Sequence, residues 1–230
     1  MDSGFEKTLE GYKVMYQARI NVEKGSKDVW DYILTHYEDM KTDKVTPLFV
    51  TRSVNDGETT FTVDAKDADA LSEYIFEHFS KIDSVQNINI VSLMKPIFFA
   101  IPPDLEDLNR YTISLKCKPS EYVSVYDKIA DLRPMGTTYP TYAAITLQDK
   151  DQDVLLSLLS PNQATLEVYL KEWLSPIEGV LNINVATVSA TRKLANKFEW
   201  KRTVHPITVW ESLTSRDYED KVYKDVNQGC

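Results

Sequence analysis

The chain repeats itself at an offset of 95 residues. Segment 71–90, LSEYIFEHFSKIDSVQNINI, lies over segment 166–185, LEVYLKEWLSPIEGVLNINV, without a gap. Leu71/Leu166, Tyr74/Tyr169, Glu77/Glu172, Ser80/Ser175, Ile82/Ile177, Val85/Val180 and the triplets Asn87-Ile88-Asn89/Asn182-Ile183-Asn184 are identical, nine positions in twenty. Tyr16 and Tyr111 share the offset. With slips of one or two residues, Val29-Trp30-Asp31 faces Val125-Tyr126-Asp127 and Pro47 faces Pro140. Each copy is too long for a solenoid unit and suits one small α+β unit.

The local patterns give each copy the order β-α-β-β-α-β. Segment 13–23 alternates apolar and polar residues (Val14, Tyr16, Ala18, Ile20, Val22), the period of a half-buried strand. Ser26 suits the N-cap of a helix over 27–40. Segment 45–54 is rich in β-formers, Asn55-Asp56-Gly57 is a strong hairpin signal, and 58–64 is the return strand. Asp67 or Asp69 opens a helix to about residue 82, and 85–93 is a fourth strand. In the second copy the strands are 108–118, 138–147, 153–158 and 180–190. Its helices follow Ser120 and Pro161, the latter ending at Pro176. The expected fold class is therefore α+β: two ferredoxin-like βαββαβ repeats forming a (pseudo)dimeric α+β barrel, plus a C-terminal extension. The expected divisions are an N-terminal lead 1–12, a first repeat 13–103, a second repeat 104–198 and an extension 199–230, with Ala100-Ile101-Pro102-Pro103-Asp104 as a stiff connector. A four-stranded sheet with helices on one side leaves its other face bare. Cover by the second copy would place a ligand cleft between the sheets.

Composition narrows the function classes. The 230 residues carry 26 Lys and Arg against 35 Asp and Glu, a net charge of −9. This argues against nucleic-acid binding through bulk basic charge. Seven glycines leave little room for Gly-rich phosphate loops. Two cysteines, Cys117 and Cys230, cannot build a disulfide framework, and Cys117 reads as a buried thiol in an alternating strand. The first residues lack the apolar core of a secretory signal, and the longest apolar run, 97–101, is far too short to span a bilayer. The expectation is a cytoplasmic protein with no membrane partner.

No residue cluster has the spacing of a metal site. His36 and His78 fall on helices and His205 in the tail, with no zinc-ligand pattern, so no cofactor is expected. The carboxylates collect in turns and helix starts, as caps do. Arg192, Lys193, Lys197, Lys201 and Arg202, with Phe198 and Trp200, form either a solvated face or an anion patch. The tail, with Trp210, Leu213, Tyr218, Val222 and Tyr223, reads in part as an amphipathic helix that covers a barrel opening or packs on another subunit of a homo-oligomer.

Two short motifs resemble the ligand-sensing domain of the Lrp/AsnC (feast/famine) regulators. Lys150-Asp151-Gln152-Asp153-Val154-Leu155-Leu156 is similar to that family's third-strand motif, with Lys150 in place of Gly. Gly57-Glu58-Thr59-Thr60-Phe61 is its partner in the first copy. The turns Ile177-Glu178-Gly179-Val180 and Ile82-Asp83-Ser84-Val85 resemble the family's second signature. The resemblance implies effector-binding residues at Asp56, Gly57, Thr60, Lys150, Asp151 and Asp153. Only about a dozen residues precede the first strand, where those regulators carry a helix-turn-helix. The implied function is a stand-alone module that senses a small molecule such as an amino acid, without direct DNA binding. The alternatives are an α+β-barrel enzyme of the small monooxygenase or isomerase type, or an assembly protein.

Overall fold

The structure, a computed structural model, describes residues 14–23, 26–54, 58–99, 101–102, 105, 107–147, 149 and 152–194. Its elements are β1 (Val14–Val22), α1 (Asp28–His36), β2 (Val45–Ser53), β3 (Thr59–Ala65), α2 (Ala68–Phe79) and β4 (Val85–Phe98). They are followed by β5 (Asn109–Cys117), α3 (Tyr122–Ala130), β6 (Tyr139–Leu147), β7 (Val154–Ser160), α4 (Gln163–Tyr169) and β8 (Val180–Lys193). A single π-helical turn, Leu170–Leu174, continues α4. Asp67 caps α2 by accepting from the Ala70 N–H at 2.8 Å, and Asn162 caps α4 by accepting from the Thr165 N–H at 2.9 Å. No side chain caps α1 or α3 at the N-cap position.

The expectation of two ferredoxin-like four-stranded sheets is corrected by the strand pairing. All eight strands close into one antiparallel barrel in the order β1-β3-β2-β8-β5-β7-β6-β4. The physical cause is the length of β4 and β8. Each runs 14 residues, beyond the 85–93 and 180–190 read from sequence. The first part of β4 pairs with β1 and its continuation pairs with β6; β8 pairs with β5 and then with β2. Every edge that a four-stranded sheet would leave open is thereby bonded.

Prolines sit where the ladders slip. Register shifts fall at Pro47–Phe49 in β2, at Pro140–Tyr142 in β6, and between Met94 and Ile97 around Pro96 in β4. Proline has no N–H to donate, so a bulge is where a strand tolerates it. At the β4 bulge Lys95 has φ +48, and the Tyr126 hydroxyl donates to its carbonyl oxygen.

The alternation along the strands separates outside from inside. Tyr16, Ala18, Ile20 and Val22 of β1 and Phe61, Val63 and Ala65 of β3 pack with Val29 and Ile33 of α1 and Leu71, Tyr74 and Phe79 of α2. Tyr111, Ile113, Leu115 and Cys117 of β5 and Val154, Leu156 and Leu158 of β7 pack with Val125, Tyr126 and Ile129 of α3 and Leu166 and Tyr169 of α4. The helices therefore lie outside the barrel over two apolar cores. Strand residues of the opposite parity point into the lumen. A third, small cluster of Leu48, Val91, Leu93, Tyr142, Ala144 and Leu155 is packed apart from both. Among the described residues, no helix is long and apolar enough to cross a membrane.

Candidate functional site

The lumen is lined by polar side chains to an extent that a purely structural core would not need. β1 contributes Gln17 and Arg19, β3 Thr60, Thr62 and Asp64, and β5 Arg110, Thr112 and Ser114. Each alternates with the helix-facing residues just named. Gln17 and Thr62 are opposite one another across β1 and β3, and both are buried, Thr62 completely. Asn182 and Asn184 of β8, opposite Lys116 and Ser114, are exposed, and Thr112 and Ser114 are half-buried. Water therefore reaches the β5–β8 side of the barrel.

Two guanidinium groups define this interior. Arg19 pairs with Asp149, Nη2 to Oδ2 at 2.7 Å, and its Nε donates to Gln17 Oε1 at 3.4 Å. The Asp149 side chain is fully buried. It belongs to the β6–β7 connection, at whose base Thr146 Oγ1 donates to the Gln152 carbonyl at 3.0 Å.

Arg110 is different. Its Nη1 donates to Thr141 Oγ1 and to Ser157 Oγ, each at 3.1 Å. Thr141 Oγ1 in turn donates to the Ser157 carbonyl at 3.1 Å, which fixes the hydroxyl that receives Arg110. No carboxylate among the described residues is within ion-pair distance of Arg110, and its Nε and Nη2 have no hydrogen-bond partner among them. Burial without a counter-charge pulls the guanidinium below its ordinary pKa range. Ser53 of β2, Val188 of β8, Arg110 and Leu159 of β7 follow one another along a single rung, and the Ser53 hydroxyl is buried without a partner. Arg110 is half-buried, and a partly desolvated cation with no counter-charge gains from an anion that meets its remaining donors.

Of the six residues taken from the sequence motif, Asp56, Gly57, Lys150 and Asp151 lie outside the described residues. Thr60 is half-buried on the lumen face of β3, its hydroxyl 3.4 Å from Glu58 Oε1. Asp153 lies against β5: Oδ2 accepts from the Cys117 N–H at 2.8 Å and Oδ1 pairs with Lys116 Nζ at 3.1 Å. Thr60 and Asp153 are not joined by a contact. Sequence reasoning missed Arg19 and Arg110. Their one signal was the strand alternation, in which polar or charged residues occupy the positions opposite the apolar ones, a pattern that a solvent-facing strand shares. Of the basic run, Arg192 and Lys193 end β8; Lys197, Lys201, Arg202 and the tail aromatics lie outside the described residues.

His36 and His78 are on the outer helices, not in the lumen. Tyr32 stacks on His36 at 4.5 Å between ring centres, and its hydroxyl is 3.2 Å from His78 Nδ1. No group of three or more His, Cys, Asp or Glu residues able to hold a metal ion occurs among the described residues.

No protein-family model and no curated protein sequence matches the chain. Solved structures do. An anthrone oxidase-like protein superposes with a TM-score of 0.56 at 11% identity, covering 82% of this chain and 96% of the other. A protein of Fusobacterium nucleatum described as a candidate monooxygenase gives a TM-score of 0.52 at 13% identity, covering 81% and 94%. Chlorite dismutase from Candidatus Nitrospira defluvii gives 0.49 at 11% identity, covering 82% and 96%. At these identities the likeness shows the fold. It overturns the resemblance to Lrp/AsnC regulators, and with it the sensing-module and transcription-linked readings. Those readings rested on short motifs, and Asp153, the best match among them, is engaged by Lys116 and the β5 backbone.

Proposed function

We propose that the chain is a barrel enzyme of the small monooxygenase and oxidase kind. In this reading the lumen is its substrate chamber and the substrate is a small, enolisable aromatic ketone. The observation that carries the reading is Arg110: a cation on the lumen face, oriented by two hydroxyls, with no carboxylate among the described residues to neutralise it. A guanidinium so placed favours the enolate over the ketone, because the negative oxygen replaces the missing counter-charge in a low-dielectric site. An enolate is the form of such a ketone that gives electrons to dioxygen. Oxidation of a ring CH₂ to C=O by one O₂ balances with release of one water. The four electrons come from the substrate and no other reductant is required.

The fold likeness to an oxidase-like and a monooxygenase-described structure supports the reaction class. The half-buried Thr112 and Ser114 and the exposed Asn182 and Asn184 offer a route for the substrate. A reducing, cytoplasmic setting is consistent with the buried free thiol of Cys117.

Anthrone is the first substrate to test. Oxygen uptake by the purified protein should rise with anthrone concentration and saturate, with formation of anthraquinone. Uptake no faster than with heat-denatured protein would reject the proposal.

A further inference from the structure

We propose that Phe49 selects the carbon frame of the ligand: its ring receives a flat aromatic body whose oxyanion is held by Arg110. The inference rests on the proposed function only in taking Arg110 as the partner of an oxyanion.

The placement of Phe49 follows from the strand order. β2 and β6 lie four strands apart whichever way the barrel is followed. Yet the rings of Phe49 in β2 and Tyr142 in β6 meet edge to face, 6.4 Å between centres and 72° between planes. Side chains from opposite walls of a closed barrel meet only inside it. The two rings are also counterparts in the two repeats. Each stands two residues after a proline, Pro47 or Pro140, and past that proline's bulge it lies opposite Thr62 or Ser157, which share the offset of 95.

The pair adjoins Arg110. Tyr142 is the chain neighbour of Thr141 and the Cα partner of Ser157, and the hydroxyls of these two residues accept from Arg110 Nη1. Leu48, Val91, Leu93, Ala144 and Leu155 complete an apolar cluster around the rings. Tyr142 is buried in it, whereas Phe49 stays half-buried. Thr112 and Ser157, in mid-strand on the same inner face, are half-buried too. Inner-face residues away from the strand ends keep accessible surface only where side chains do not fill the interior. Phe49 therefore presents its ring to an accessible part of the lumen, and Tyr142 braces it edge-on.

The chemistry of the ligand follows from these neighbours. One end is an oxygen anion, which meets the donors of Arg110 that Thr141 and Ser157 leave free. The body is flat and aromatic, because ring on ring gains more than the apolar area alone. A saturated ring of the same charge meets the cation equally well and gains less at Phe49.

The test is equilibrium binding of 9-anthroate to the full chain, followed by its fluorescence. This probe carries an oxyanion on a flat tricyclic frame and has no ring CH₂ to oxidise. Benzoate should displace it at lower concentration than cyclohexanecarboxylate. Phe49→Leu should weaken anthroate binding about 3- to 10-fold and remove the difference between the two competitors. Phe49→Tyr, which keeps the ring, should bind as the wild type does, and Arg110→Gln should weaken binding through the other end. Denaturation curves verify that each variant folds. Phe49→Met, with a more adaptable side chain, is read in place of Phe49→Leu should the latter not fold. Ring-dependent binding of anthroate by a protein that does not oxidise anthrone supports this role of Phe49 and rejects the oxidase reading. Anthrone oxidation with an unchanged KM in Phe49→Leu overturns the role and leaves that reading standing. No binding of anthroate by the wild type, or equal binding by the wild type and the variant that lacks the ring, also overturns it.

Discussion

Arg19 Nη2 lies 2.7 Å from Asp149 Oδ2, an ion pair between the first strand of the barrel and the connection from the sixth to the seventh. It ties two parts of the chain 130 residues apart, and the Asp149 side chain is withdrawn from water altogether. Removing one member strands the other. Asp149→Asn should therefore cost about 3 kcal/mol, a fall in Tm of roughly 6 to 12 °C for a chain of this size. The double variant Arg19→Met, Asp149→Leu should recover part of the loss, because no charge is left buried. Calorimetry on the three proteins checks this. Equal losses in the single and double variants would mean that the pair contributes through shape alone.

His78 makes stability fall with acid. Desolvation under Tyr74 and Tyr32 lowers its pKa below the ordinary 6.5; His36 and Lys81 push the same way, and Glu77 opposes. The folded imidazole holds its proton less tightly than the unfolded one. Its contribution is therefore fully present above pH 6.5 and is lost as the pH falls toward the folded value. The Tm should drop between pH 7.5 and pH 5.5, and the drop should be smaller in His78→Asn. The same drop in both proteins would place the acid sensitivity elsewhere.

Cys117 works at the other end of the scale. Burial, with Asp153 beside it, pushes its thiol up to about 11 against the ordinary 9.0; Lys116 opposes. Below pH 9 the thiol is neutral whether the chain is folded or not. Between pH 9 and 11 the unfolded chain ionises first, and stability is lost. At pH 8 in a Cys230→Ser background, Ellman's reagent should react with Cys117 only as fast as the protein unfolds, and at once in denaturant. Rapid reaction in buffer would show the thiol to be accessible.

Gly179 precedes β8 at φ +95, a conformation that side chains disfavour. A Cβ there would come within 2.5 Å of Glu121 Cβ. Gly179→Ala should destabilise by more than about 1 kcal/mol, read as a lower denaturation midpoint in urea with an unchanged slope.

Much of the strand pattern was legible in the sequence because its physics is local. The alternation of Tyr16, Ala18, Ile20 and Val22, the capping carboxylate of Asp67 and the prolines 47 and 140 each report a neighbourhood of a few residues. Closure of the barrel was not legible in that way. The continuations of β4 and β8 contain Lys95, Pro96, Arg192 and Lys193, which do not look like strand, and they are held by partners about 45 to 140 residues away in sequence. The site was less legible still. Arg19 and Arg110 alternate with apolar residues as solvent-facing side chains would, and only closure turns that face inward. Of the residues that the motif singled out, Asp153 pairs with Lys116 and accepts from the Cys117 N–H.

The most direct measurement is the rate of oxygen uptake with anthrone by wild type, Arg110→Lys and Arg110→Gln, beside their denaturation curves. If Arg110 holds the enolate oxygen, kcat/KM falls by about 10²- to 10³-fold in Arg110→Gln. In Arg110→Lys it falls less, since the charge remains but its fork is lost. Neither variant should lose much stability, because the wild-type cation is half-buried and partly desolvated without a counter-charge. An Arg110→Gln protein as active as the wild type, or a wild type that consumes no oxygen, contradicts the account.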